Sequence, residues 1–306
     1  MCGRFALYYS REQLERVAGT TRWADAKDQE KRYHYQPRYN VAPQQTVPLL
    51  RTVSGERVLQ PMRWAFPIRG RTFGKGESPP TVINVRAETA LEKASFRSAL
   101  DAGQRAVVIA NGFYEWSAAD APGEQQDVGK IKTMTKASRI PYFIYHGVTK
   151  SESKDHLALR NAHDMIDRPL FMAALFVEET EMNRFAIFTV AASDKIQWMH
   201  NRMPALLETE DQLQAWLDVE QVPARVAVHR CLQPTEQIVW HPVSNTVSSV
   251  KNEGPSLIEP RRDEPGKKPG LDIRSAFARG LKRSPSAQDL QAPETKQMRH
   301  TYQANR

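Results

Sequence analysis

The chain has 306 residues and only two cysteines, Cys2 and Cys231, too few for a disulfide framework or a four-thiolate zinc site. Of its formal net charge of +8, most lies at one end: residues 261–306 hold 11 Lys/Arg against 5 Asp/Glu, in a Pro-, Gly-, Ser- and Gln-rich stretch poor in large apolar residues. The longest apolar run, 169–177, is about half of what a membrane span requires, and no apolar run of signal-peptide length opens the chain.

In chain order, Ser10 followed by Gln13, with Leu14 and Val17 behind, predicts a helix opened by a capping box. Thr46–Val53 has the apolar character of a strand limited by Pro43 and Pro48. Residues 86–100 read as a helix through Ala87, Ala90, Leu91, Ala94 and Leu100. Arg105–Ala110, 142–148, Leu170–Val177 and 185–191 are β-branched or aromatic runs of strand length. Residues 211–219 and 224–232 predict two helices separated by Pro223, and 238–243 a last strand. The polar segments 118–139 and 149–168 read as surface insertions.

Long, irregular connections between strands, with no G-x-G or P-loop signal after any of them, predict an α+β fold with mostly antiparallel strands. The expected organisation is one domain over 2–260 and a basic, disordered tail over 261–306. The eight histidines do not fall into ligand spacings with cysteines or paired carboxylates, so no metal is expected, and no nucleotide-cofactor motif is present.

Cys2 is the position with the most distinctive chemistry. Removing Met1 would leave an α-amine and a thiol on adjacent carbons, and an aldehyde condenses with that pair first to an imine and then to a five-membered thiazolidine. The amine is suited to the first step. An α-amino group titrates near ~7.7–8.0 and a lysine near ~10.4, so only the former is appreciably unprotonated at neutral pH.

Five short stretches, the first containing Cys2, are unusual for core sequence. They are Cys2-Gly3-Arg4-Phe5, Arg38-Tyr39-Asn40-Val41-Ala42-Pro43, Asn84-Val85-Arg86-Ala87-Glu88, Gly112-Phe113-Tyr114-Glu115-Trp116 and His200-Asn201-Arg202-Met203-Pro204, with Met62-Arg63-Trp64 between the second and third. In this order, and with His241-Pro242-Val243-Ser244 and Gly254-Pro255-Ser256-Leu257-Ile258 behind them, they resemble the SRAP family of abasic-site processing proteins, first described as SOS-response-associated peptidases.

The resemblance implies a single α+β domain around a barrel-like β core, with a positive groove leading to the cysteine. It implies a covalent thiazolidine between the N-terminal cysteine and the ring-opened aldehyde of an abasic site in single-stranded DNA. The matching catalytic residues are Cys2, Asn84, Glu115 and His200, with Arg4, Arg86 and Arg202 as phosphate or backbone contacts.

Each residue type suits its role. His200 has the pKa to donate a proton as the closed sugar opens. Glu115, between Tyr114 and Trp116, can shuttle protons if desolvation raises its pKa. Asn84 can orient the thiol and amine without competing for the proton. Arg4 and Arg86 offer bidentate contacts to phosphate. Trp64 is the expected stacking surface for an exposed base, and Pro43 and Met203 the expected wedges against the sugar or a flanking base.

The chain departs from the family pattern at Val85, at Trp64-Ala65-Phe66-Pro67, in having no cysteine in 107–111, and at Val247-Ser248. The alternatives are an N-terminal-cysteine thiol autopeptidase and a non-catalytic DNA-binding module working through the basic tail. The expected partner is single-stranded DNA containing abasic sites, with the tail a candidate contact for replication-fork proteins. No membrane association is expected. The expected state is an intracellular monomer, nuclear in a eukaryote and otherwise cytoplasmic.

Overall fold

A computed structural model describes residues 2–24, 33–68, 80–117, 139–147 and 168–261. Most of the expected insertions and all but the first residue of the expected tail lie outside them. The fold is α+β: fourteen strands among the described residues, nearly all paired antiparallel, with four α-helices beside them.

Five strands close on themselves. β3 (Thr46–Val53) and β4 (Glu56–Trp64) form a hairpin, and β3 pairs on its other side with β8 (Arg105–Ala110). β8 pairs with β11 (Leu170–Val177), β11 with β12 (Arg184–Ala191), and β12 returns to β4 in parallel through Arg184 and Phe185. The ring β11-β8-β3-β4-β12 leaves no open edge, which removes the unpaired backbone that an open sheet exposes. Its strands are apolar on both faces: Leu49, Trp64, Met172, Phe185 and Ile187 on one, and Leu59, Val107 and Ile109 on the other, are all fully buried.

The hairpin at the start of the barrel is set by local chemistry. Ser54 and Gly55 both have positive φ, 50° and 79°, as a two-residue turn matched to the right-handed twist of its strands requires. Pro48 and Pro61 lie opposite one another, so neither interrupts the bonds of the other's neighbours. Pro61 is why the sequence alone does not suggest β4.

The second sheet runs β14-β10-β9-β1-β2, where β1 is Phe5–Leu7, β2 Arg38–Val41, β9 Gly112–Trp116, β10 Pro141–His146 and β14 Ile238–Pro242. β8 passes from the barrel into this sheet through Asn111, which becomes β9 one residue later. Gly112 is required at that crossing: a Cβ there would lie 2.3 Å from Phe143 Cζ and 2.7 Å from the Ile144 carbonyl oxygen.

Two short strands extend the barrel at the same end. β7 (Asn84–Arg86) pairs in parallel with the second half of β12, and β13 (Arg202–Pro204) pairs antiparallel with it on the other side. β5 (Phe66–Pro67) and β6 (Thr81–Val82) form a separate small ladder.

Helix α1 (Arg11–Ala18) has the expected reciprocal cap: the Gln13 N–H donates to Ser10 Oγ at 3.2 Å and the Ser10 N–H to Gln13 Oε1 at 2.7 Å. The helix expected over 86–100 forms only as α2 (Ala94–Asp101), preceded by strand β7 and a short 3-10 turn at Ala87–Thr89. The start of the expected helix loses to tertiary pairing, because β12 takes the backbone of residues 84–86 into the sheet, and residues 87–93 follow as a 3-10 turn and further turns. Helices α3 (Glu210–Leu217) and α4 (Ala224–Cys231) match expectation within a residue or two.

Candidate functional site

The site lies where the barrel hands over to the second sheet. β1 and β9 pair through Phe5↔Phe113 and Ala6↔Gly112, and the ladder continues with the Tyr114 N–H donating to the Arg4 carbonyl at 2.9 Å. Glu115 is one residue further along β9, level with the first residues of the chain. From the barrel, β12 carries Asn84 on one flank, through Ile187↔Asn84, and Arg202 on the other, through Ala191↔Arg202. His200 lies two residues before the start of β13.

Electrostatics tie these residues together. Cys2 is fully buried, and burial pushes its thiol up to about 12, with the Glu115 charge adding to the shift. Opposing this are the positive charge of the amino terminus and a weak hydrogen bond to the Arg4 carbonyl. The thiol is therefore protonated at neutral pH.

Burial also pushes the Glu115 carboxyl up to about 7, against the amino-terminal charge, a backbone N–H bond from Trp116 and the Arg139 charge. His200 moves down, through burial first and then the amino terminus, Arg139 and Arg202. The amino terminus thus acts on Cys2, Glu115 and His200 alike, and Arg139 on the last two.

The hydrogen bonds of His200 assign its tautomer. Nδ1 lies 2.9 Å from the Arg202 backbone nitrogen, a donor, and 3.2 Å from the Arg202 carbonyl oxygen, an acceptor; the shorter contact makes Nδ1 the acceptor, with the proton of the neutral ring on Nε2. Asn84 sits half-buried on β7, and both its side-chain Nδ2 and Oδ1 are buried without a partner among the described residues. An amide left unsatisfied in this way costs stability, which a bound group would recover.

The remaining expected contacts divide sharply. Trp64 is fully buried, stacks on Phe185 at 6.2 Å and donates its indole N–H to the Ile83 carbonyl at 2.8 Å. Met203 is also fully buried, on the inward side of β13. Both side chains belong to the core of the closed barrel in this structure and expose no face there for the expected stacking and wedge roles.

Arg202 forms a bidentate ion pair with Glu88 at 2.6 and 2.9 Å and also donates to the Thr189 carbonyl. Arg4 donates to Asn40 Oδ1 at 2.6 Å and to the carbonyls of Val247 at 2.9 Å and Ser248 at 3.4 Å. Both guanidinium groups are turned inward. Arg86 is exposed, and Pro43 sits half-exposed in the turn after β2.

Sequence reasoning missed the two residues that explain these orientations. Asn40, fully buried, donates Nδ2 to the carbonyls of Val247, Ser249 and Asn252 and so ties residues 247–252 to the first strands. Glu88 was visible four residues after Asn84 in the same motif, as a carboxylate available to an arginine. Arg139 was also missed, because it lies at the end of an expected insertion.

Comparison with known proteins bears on the whole arrangement. A family model described as SOS response associated peptidase (SRAP) matches residues 1–250. The chain is 32% identical over 288 residues to the abasic site processing protein HMCES of Gallus gallus, covering 85% of this chain and 78% of that one. It is 31% identical over 271 residues to the abasic site processing protein YedK of Escherichia coli (strain K12), covering 85% of this chain and 100% of that one. Among solved structures, a protein from Bacteroides thetaiotaomicron shares the fold at a TM-score of 0.57 and 19% identity, over 85% of this chain and 100% of its own.

Proposed function

The chain belongs to the SOS response associated peptidase family, and from that premise we propose that it processes abasic sites by capturing them covalently on Cys2. The substrate is the ring-opened aldehyde of an abasic site in single-stranded DNA, and the product is a thiazolidine crosslink that shields the lesion. The observation that carries this reading is the set of protonation states around Cys2: a buried neutral thiol, a carboxyl poised near pH 7 and a neutral imidazole with its proton on Nε2.

Once Met1 is removed, the steps balance as follows. His200 Nε2–H hydrogen-bonds the ring oxygen and polarises the C1′–O bond; as the sugar opens, that oxygen takes a proton from water and the C1′ hydroxyl returns one to water, exposing the C1′ aldehyde. The unprotonated α-amine of Cys2 adds to that carbon, and the carbinolamine loses water with Glu115 as the acid, leaving an iminium. Glu115, now a carboxylate, accepts the thiol proton as Sγ bonds to C1′ and the iminium electrons return to nitrogen. One water leaves and no oxidant or reductant is needed. Asn84 positions the amine and thiol with its unsatisfied amide, and Arg86 contacts a phosphate.

The iminium also acidifies the neighbouring C2′ hydrogens, so β-elimination and strand cleavage would compete if ring closure failed. The autopeptidase alternative is less well supported. A thiol protease needs a thiolate at working pH, whereas both burial and Glu115 hold the Cys2 thiol protonated.

The test is a denaturing gel. Protein whose Met1 removal is verified by mass is mixed with a single-stranded oligonucleotide carrying one abasic site. Cys2→Ala and a lesion-free oligonucleotide run alongside. A heat-stable shifted band that requires both Cys2 and the lesion is expected. Its absence from processed protein would overturn the proposal and favour passive binding.

A further inference from the structure

With Trp64 in the core, a base next to the lesion needs another surface on which to rest. Another set of aromatic side chains borders it. Tyr142, on β10, is paired directly with Glu115 on β9, and directly opposed residues share a face of the sheet. The Tyr142 ring meets Trp198 edge-on at 5.3 Å and 88°, and Trp198 meets Trp240 at 6.2 Å.

All three are half-buried, with part of each ring packed on the main apolar core and part left at the surface. Trp198 is two residues before His200 in the turn that delivers that histidine, and its indole N–H is fixed on the Lys195 carbonyl at 2.9 Å. The row therefore starts beside Glu115 and His200 and leads away from them.

A cation stands near the start of the row. Arg139 is exposed, two residues ahead of Pro141, which pairs with Trp116. It makes no hydrogen bond or ion pair among the described residues. Beside Trp198, the Glu236 carboxylate accepts from the Asp194 N–H at 3.2 Å and the Lys195 ammonium donates to the Glu236 carbonyl, so both signs of charge meet there. A phosphate is drawn to Arg139, at the start of the row.

We propose that Tyr142, Trp198 and Trp240 form a stacking ledge for the bases adjacent to the captured nucleotide, with Arg139 on the intervening phosphate. This rests on the proposed capture of abasic sites and names where the flanking strand would lie. Stacking accepts any base, because each has a π-face, and so adds affinity without sequence preference.

The experiment is a double cycle read by fluorescence anisotropy. The probes are two single-stranded oligonucleotides with a central tetrahydrofuran, an abasic analogue that lacks the aldehyde. One keeps its flanking bases, and the other has tetrahydrofuran at the two flanking positions as well. Wild-type protein is expected to bind the first roughly tenfold to a hundredfold more tightly. Trp198→Ala is expected to lose that preference, and Trp198→Phe to keep most of it, with melting curves checking that each variant is folded.

Equal weakening of Trp198→Ala towards both probes would mean that Trp198 acts only in packing, and would overturn the ledge. So would a wild-type protein indifferent to the flanking bases. Neither probe can crosslink, so these results stand apart from the gel that tests covalent capture.

Discussion

Replacing Glu115 with Gln tests the electrostatics of the site without any DNA. Burial raises the carboxyl from its ordinary 4.5 to about 7, so the folded protein holds this proton more tightly than the unfolded chain does. The sign follows: below pH 4.5 both states are protonated and the group costs nothing. Between pH 4.5 and 7 the unfolded chain ionises first, and the folded state is progressively penalised. Above pH 7 the penalty is complete.

The gap of about 2.5 units corresponds to about 3 kcal/mol. Glu115→Gln removes the titration. Its stability relative to wild type should therefore rise by about 3 kcal/mol from pH 4.5 to pH 8, or roughly 5–10 °C in Tm for a domain of this size. Calorimetric melts of both proteins across that range supply the comparison. Any constant offset from the amide itself cancels, because only the slope matters. A difference that is flat with pH, or that grows towards acid, would refute a buried, up-shifted carboxyl and with it the acid and base role proposed for Glu115.

Gly112→Ala should destabilise the fold by about 3 kcal/mol or more, because the new methyl meets a backbone oxygen as well as a ring; a thermal melt reads it directly. Asn40→Ala should cost about 1–3 kcal/mol by removing a buried amide that binds three carbonyls and accepts from Arg4. In that variant, amide exchange should accelerate most in residues 247–252 if the side chain is what fastens them. Trp64→Phe should lower Tm while leaving the affinity for lesion-free single-stranded DNA within about twofold, measured by anisotropy. A large loss of affinity in a folded variant would restore Trp64 as a DNA contact.

The parts of the fold that local pattern controls were legible in the sequence. The capping box at Ser10 and Gln13, the apolar runs of β3, β8 and β11, and the helices on either side of Pro223 are all where residue type and spacing put them. Barrel closure was not, because it depends on β12 meeting β4 and β11 at once, and no local signal encodes those pairings. Trp64 could have been read correctly: Met62-Arg63-Trp64 alternates buried, exposed, buried, the mark of a strand with one face in the core. The arginines were harder. Arg4 and Arg86 look equivalent in sequence, and only the buried Asn40, far along the chain from the carbonyls it binds, shows that Arg4 is spent inside the protein.

A thiol held at about 12 beside a carboxyl at about 7 looks poorly matched for proton transfer, with five units, or about 7 kcal/mol, between them. Under the proposed chemistry the mismatch imposes an order on the steps. Before an aldehyde arrives, the buried thiol is neither nucleophilic nor easily oxidised, since both reactions require thiolate. Once the iminium forms, a full positive charge appears about 3 Å from sulfur. At an effective dielectric constant near 20 that charge is worth about 5 kcal/mol to the thiolate, which closes most of the gap. The amine must therefore react first, and its reaction is what activates the thiol. A protease would need the thiolate before its substrate bound, so the burial that suits sequential ring closure works against peptidase chemistry at the same cysteine.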